Sequence, residues 1–156
     1  MKSLEIYTDG GCHPNPGFGA CAFVVVEAGV TVVHQKAFKK EEATNNIMEL
    51  SAVIAALHWV QHHHPTARIY INTDSQYVQM GITKWIEGWI KKGWRTSGKK
   101  DVKNKELWIL LHGLTKKLDV HFQWVKGHAE NRFNNLADEL CTTMIRKYIG
   151  GTDIIK

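Results

Sequence analysis

Two separate stretches of this chain end on the same pair of residues. Leu4-Glu5-Ile6-Tyr7-Thr8-Asp9 and Arg68-Ile69-Tyr70-Ile71-Asn72-Thr73-Asp74 both read as strands, and both close on Thr-Asp. In the first, Leu4, Ile6 and Thr8 share one face and Glu5, Tyr7 and Asp9 the other, the two-residue period of a strand. Gly10-Gly11 follow, and their backbone freedom is expected to end that strand in a tight turn. Alone, Asp9 reads as a turn-forming aspartate before glycine. Asp74, with Ser75-Gln76-Tyr77-Val78 opening a helix after it, reads alone as an N-cap. On neighbouring parallel strands, however, the two carboxylates would sit side by side beyond the strands' carboxyl ends, where α/β sheets build their sites.

The intervening segments supply the rest of a sheet. Gly10 to Gly19 holds four glycines and two prolines and is expected to be a loop. Ala20–Glu27 and Val30–Phe38, split by Ala28-Gly29, predict an antiparallel hairpin, so the first three strands form a meander. After a polar connection over 41–46, a largely apolar helix is expected from Asn46 to His62. Asn46 would cap it and Glu49 would complete a capping box. That local account of Glu49 competes with another. A carboxylate sharing a face with Val53, Ala56 and Val60 is costly unless something pairs with it. His62-His63-His64-Pro65 ends the helix. Three adjacent histidines cannot all face one ion from a helix, so they read as an exposed terminus.

Further helices are expected over Gly81–Ile90 and Asn104–Lys117, a fifth strand over Val120–Val125, and a last helix from Asn134 to Tyr148. That last helix carries Leu136, Leu140, Met144 and Tyr148 on one stripe and Asp138 in its first or second turn. The order of elements fits an α/β fold, a five-stranded mixed sheet with helices on both faces.

Charge narrows the function. The net charge is +5, yet residues 84–105 hold eight basic and two acidic side chains, net +6, against 12 basic and 13 acidic elsewhere. One segment therefore carries all the excess, the footprint of a polyanion binder. Within it, Trp85 is expected to pack. Trp89 and Trp94 lie among Lys91, Lys92, Arg95 and Lys99, where indoles suit contact with nucleotides, although core packing also explains a tryptophan. The 156 residues suit one domain, taken as 1–149 with a basic protrusion at 82–105 and a flexible tail at 150–156. No apolar run is long enough to span a membrane. Met1-Lys2-Ser3 leads straight into a strand, so no signal peptide is expected. Three cysteines without metal-like spacing suit reduced thiols in the cytoplasm.

Asp9, Asp74, Glu49 and Asp138 can all approach one edge of such a sheet. Four acids gathered there would raise one another's pKa values unless cations joined them. An all-oxygen cluster favours Mg²⁺ or Mn²⁺, and two such ions perform in-line phosphodiester hydrolysis.

These residues resemble type 1 ribonuclease H of the bacterial kind. The motifs are Tyr7-Thr8-Asp9-Gly10-Gly11-Cys12 with Asn15-Pro16-Gly17, Thr44-Asn45-Asn46-Ile47-Met48-Glu49-Leu50, Thr73-Asp74-Ser75-Gln76-Tyr77-Val78, Trp124-Val125-Lys126-Gly127-His128-Ala129, and Asn134 with Ala137-Asp138-Glu139-Leu140. They recur in the family's order and spacing from Leu4 to about Tyr148. The resemblance implies the ribonuclease H-like sheet, with strands 1–3 antiparallel and strands 4 and 5 parallel to strand 1. It implies a monomeric endonuclease that cuts the RNA strand of RNA–DNA hybrids with two Mg²⁺ ions, Mn²⁺ being a substitute. The expected products carry 5′-phosphate and 3′-hydroxyl ends, and the expected role is removal of RNA primers and R-loops.

Carried over by position, Asp9, Glu49, Asp74 and Asp138 hold metal, with Asp9 shared between the ions. His128 assists proton transfer or product release. Cys12, Asn15, Asn45 and Gln76 line the minor groove of the hybrid, where the 2′-hydroxyl is sensed. Thr44 holds a DNA phosphate, and Asn134 belongs to the substrate surface. Trp89, Lys91, Lys92, Trp94, Arg95 and Lys99 fall in a handle that grips the DNA strand. His13-Pro14 and Ile47 depart from the family pattern without touching a metal-binding acid. A hybrid-binding module without activity would lack one of the four acids, and an integrase or transposase core would normally carry further DNA-binding domains.

Overall fold

A computed structural model describes residues 2–125 and 131–149. Five strands form one mixed sheet: β1 (Ser3–His13), β2 (Gly17–Glu27), β3 (Thr31–Ala43), β4 (Arg68–Thr73) and β5 (Asp119–Trp124). Their order is β3-β2-β1-β4-β5. The first three are antiparallel, and β4 and β5 run parallel to β1, as expected. The helices are α1 (Asn45–His63), α2 (Gln76–Met80), α3 (Ile86–Lys91), α4 (Lys105–Lys117) and α5 (Arg132–Ile149), with a π-helical turn (Gly81–Trp85) joining α2 to α3. The 150–156 tail lies outside the described residues. Among the described residues no helix is long and apolar enough to cross a membrane.

Strand alternation divides the core between the two faces. Leu4, Ile6, Ile69 and Ile71 bury against Leu50, Val53 and Leu57 of α1 and Trp108 and Leu111 of α4. Tyr7, Val24 and Val26 point the other way and pack on Phe133 and Ala137 of α5. Each fully buried aliphatic side chain contributes about 1.5–3 kcal/mol. The Trp108 indole N–H donates to the Tyr77 hydroxyl at 3.0 Å, so its burial leaves no orphaned donor.

Several boundaries differ from expectation. β1 does not end at Gly10-Gly11. It continues to His13, pairing Gly10 with Cys21 and Gly11 with Ala20 of β2, and the turn falls at Pro14–Pro16. β3 likewise runs on to Ala43, through part of the expected polar connection. The hairpin between β2 and β3 turns where expected, with positive φ at Ala28 (56°) and Gly29 (74°). On α5 the fully buried stripe is Phe133, Ala137 and Cys141 rather than Leu136, Leu140, Met144 and Tyr148. Phe133 packs on Tyr7, and the small Ala137 and Cys141 follow it, the Cys141 thiol donating to the Ala20 carbonyl at 3.0 Å. Leu136 and Leu140 only flank the contact, and Tyr148 is exposed, stacked on Phe18.

The tryptophans also depart from expectation. Trp89 and Trp94 pack against the core, with Trp89 centroids 5.3 Å from Trp108 and 6.3 Å from Trp94, and each keeps a half-exposed edge. Trp85 is the more exposed, at 37%. Packing of Trp89 against Trp108 explains the difference: α3 turns that side inward.

Candidate active site

Asp9 lies in β1 and Asp74 directly follows β4. These strands pair in parallel through Tyr7–Asn72, and the same register carries the two aspartates side by side. Glu49 arrives from α1. What lets it approach is Gly10: a Cβ there would overlap the Met48 carbonyl group and the Glu49 backbone nitrogen. Glycine at this position serves close approach of the helix rather than chain reversal. One carboxylate oxygen from each of Asp9, Glu49 and Asp74 lies within 4.8 Å of the others. Asp138, on the second turn of α5, hydrogen-bonds to Asp9 but stays outside that three-way group.

Local duties expected of two acids fall to other residues. Thr44, not Asn46, caps α1, its hydroxyl accepting from Ile47 N–H at 3.1 Å. Glu49 is then too far along the helix for a capping box. Ser75, not Asp74, caps α2, its hydroxyl accepting from Val78 N–H at 3.1 Å. Asn131 caps α5, its side-chain oxygen accepting from the N–H groups of Phe133 (2.9 Å) and Asn134 (3.1 Å). The helix thus starts at Arg132, two residues before the expected Asn134. An Asn before an amphipathic run was the signal that marked its true start.

The electrostatics are those of an unneutralised cluster. Burial, then the charge of Asp74, then the contact with Asp138 push the Asp9 carboxyl up to about 8, against a downward pull from the Gly10 N–H. Glu49 is raised well above the ordinary carboxylate range by burial first, then by Asp9 and Asp74. One Glu49 oxygen is buried with no hydrogen-bond partner among the described residues. An orphaned buried oxygen beside two further acids is costly. Divalent cations of the Mg²⁺ or Mn²⁺ type fit this all-oxygen donor set.

Around the acids, Cys12, Asn15, Thr44 and Asn45 come together. The Cys12 thiol donates to the carbonyls of Pro14 (3.0 Å) and Ala43 (3.1 Å), and Asn45 N–H donates to the Asn15 side chain at 3.2 Å. Gln76 is exposed at the start of α2. Lys91 is exposed at the end of α3, and Lys92, Arg95 and Lys99 are exposed beyond it. The loop that carries Arg95 and Lys99 closes on itself through antiparallel backbone pairing of Arg95 with Asp101 and a Thr96 N–H bond to the Lys100 carbonyl at 2.7 Å. Buried Val102, donating its N–H to the Trp94 carbonyl at 3.1 Å, anchors the loop to the core. Asn134 is buried at 5% exposure, apart from this rim. His128 lies outside the described residues.

A mixed sheet with this strand order, carrying an acidic, cation-ready cluster at its parallel strand ends, belongs to the ribonuclease H-like class of hydrolases. The sequence model of the RNase H family matches residues 1–146. The ribonuclease H of Hahella chejuensis is 42% identical over 97% of this chain and 99% of its own. The crystal structure of LC9-RNase H1, described as a type 1 RNase H with the type 2 active-site motif, superposes with a TM-score of 0.79. It is 28% identical and covers 92% of this chain and 72% of that one. LC11-RNase H1, solved in complex with RNA/DNA hybrid, has a TM-score of 0.73 at 22% identity, over 94% of this chain and 99% of that one. The chain belongs to the RNase H family, in its bacterial type 1 branch.

Proposed function

We propose that this protein hydrolyses the RNA strand of RNA–DNA hybrids, leaving 5′-phosphate and 3′-hydroxyl ends, and so removes RNA primers and R-loops. The observation that carries the reading is the gathering of Asp9, Glu49 and Asp74 from three elements to within 4.8 Å. When bound, two divalent cations supply charge stabilisation at the attacking and leaving oxygens of an in-line phosphodiester displacement. Asp9, Glu49, Asp74 and Asp138 would hold them: Asp9 would serve both, Glu49 and Asp74 would complete one ligand set, and Asp138 would belong to the other. Water attacks phosphorus, the P–O3′ bond breaks, and a proton passes to the departing 3′-oxygen. His128 is assigned to that proton or to product release. The joined rim of Cys12, Asn15 and Asn45, with Gln76, faces the minor groove, and Asn134 supports the substrate surface from α5. Thr44 takes a DNA phosphate. Lys91, Lys92, Arg95 and Lys99, with the open edges of Trp89 and Trp94, take the DNA strand.

Residues 1–149 act in this reading as one catalytic domain with 82–105 as its handle, working as a cytoplasmic monomer on hybrid. The test is cleavage of an end-labelled RNA–DNA hybrid with Mg²⁺, with and without chelator, beside RNA–RNA and DNA–DNA duplexes. Only the hybrid should be cut, and only with metal. An intact hybrid, or cleavage that survives Asp9→Asn, refutes the assignment.

A further inference from the structure

A second set of metal-ligand side chains lies at the opposite end of α1 from the acids. His34 of β3 and His58, His62 and His63 of α1 line one cavity of about 460 Å³. His58 and His62 stand one helical turn apart, with ring centroids separated by 4.6 Å. His62 Nδ1 lies 3.0 Å from the His58 carbonyl oxygen. That oxygen can only accept, so Nδ1 carries the proton and Nε2 of the neutral ring is a bare lone pair. His63 is held the same way, Nδ1 donating to the Trp59 carbonyl at 2.9 Å. A backbone-anchored Nδ1–H is the outer arrangement that metal-binding histidines use to fix the ring and its tautomer.

From across the cavity His34 stacks on Trp59, centroids 4.6 Å apart and 12° from parallel, and its Nε2 is buried without a partner among the described residues. Among the described residues the lining holds no carboxylate, so Mg²⁺ finds no ligand of its own kind here. Imidazole nitrogens suit borderline transition ions instead. Among the described residues only the acids bring three ligand atoms within 4.8 Å of one another. The i, i+4 pair is therefore the primary ligand set, and water fills the remaining positions. Lys36 lines the same cavity and opposes a dication, which limits affinity.

We propose that His58 and His62 bind a divalent transition-metal ion of the Zn²⁺, Ni²⁺ and Cu²⁺ group, separately from the acidic site. Three adjacent histidines at the end of α1 do not make this site; the helical repeat does, by bringing His58 under His62. The experiment is calorimetric titration of Ni²⁺ into the full chain with Mg²⁺ in excess to occupy the carboxylates. One saturable Ni²⁺ site is expected, retained in Asp9→Asn. It should weaken in His58→Gln and in His62→Gln by at least the roughly tenfold that loss of even an outer partner causes. His64→Gln should leave it unchanged, since His64 closes α1 through its backbone N–H to Val60. Ni²⁺ should also raise the melting temperature of the wild type and not of His58→Gln. His58 and His62 are exposed, so both variants should keep the wild-type circular dichroism. Absence of a Ni²⁺ site, equal affinity in the two variants and the wild type, or loss of the site with Asp9→Asn would overturn the proposal.

Discussion

Replacing Asp9 by asparagine should stabilise the metal-free protein while abolishing Mg²⁺-dependent cleavage. Burial, Asp74 and Asp138 raise this carboxyl from 3.8 to about 8. Its folded value lies above its unfolded value, so the folded state holds the extra proton. The stability it contributes is complete below the unfolded value and is lost as pH rises towards the folded one. Taking up that proton at pH 7 thus costs the metal-free fold about 4 kcal/mol, from roughly three units at 1.36 kcal/mol each. At pH 5.5 the same reasoning yields about 2 kcal/mol, and at pH 8 about 5 kcal/mol. Asparagine has nearly the same shape and no charge. Its advantage over the wild type should therefore widen by about 3 kcal/mol from pH 5.5 to pH 8, or roughly 6–12 °C in Tm for a chain of this size. Thermal unfolding in chelator at the two pH values reads the gap directly. Saturating Mg²⁺ at pH 8 should close it, because the cation stabilises the ionised wild-type cluster and has lost its shared ligand in the variant. A gap that does not change with pH, or a variant less stable than the wild type in chelator at pH 8, would refute the account of why these acids are gathered.

Two other substitutions separate packing from charge. Gly10→Ala should cost about 1–3 kcal/mol, because its Cβ meets the backbone of α1 rather than a movable side chain. Mg²⁺ affinity should fall with it as Glu49 is displaced, while Gly11→Ala, whose Cβ would lie 3.8 Å from Ile145, should leave Mg²⁺ affinity unchanged. Urea unfolding and Mg²⁺ titration of both variants make the comparison. Replacing Lys91, Lys92 and Arg95 together by Ala should flatten the salt dependence of hybrid binding by up to about 3 in log–log slope, near 0.9 per phosphate contact released. An unchanged slope, measured by binding across salt concentrations, would remove these side chains from the DNA-strand contact.

Much of the fold could be read directly. The alternation in Leu4–Asp9 and Arg68–Asp74 placed β1 and β4, the Ala28-Gly29 turn placed the hairpin, and the strand and helix order yielded the mixed sheet. These signals survive because each is local: a two-residue period, a positive-φ turn, an apolar helical face. Readings that depended on a contact partner were the ones that shifted. Gly10-Gly11 looks like a turn until β2 is seen to pair with it and α1 to press on it. Trp89 and Trp94 look like solvent-facing indoles until Trp108 is seen beneath Trp89.

By itself the sequence determined which acids are present, which strands end beside them, and where the surplus positive charge lies. Those follow from composition and short-range periodicity, which act before any tertiary contact exists. Only the tertiary structure decided that the acids come together. Asp9, Glu49 and Asp74 each had a local duty available, and it is Thr44 and Ser75, with a turn displaced to Pro14–Pro16, that relieve them of it. Once relieved, they are held together by a glycine chosen for the room it leaves to a helix. Three acids converge there because packing energy spread over the whole core exceeds the cost of burying them side by side, a balance that no short window of sequence contains.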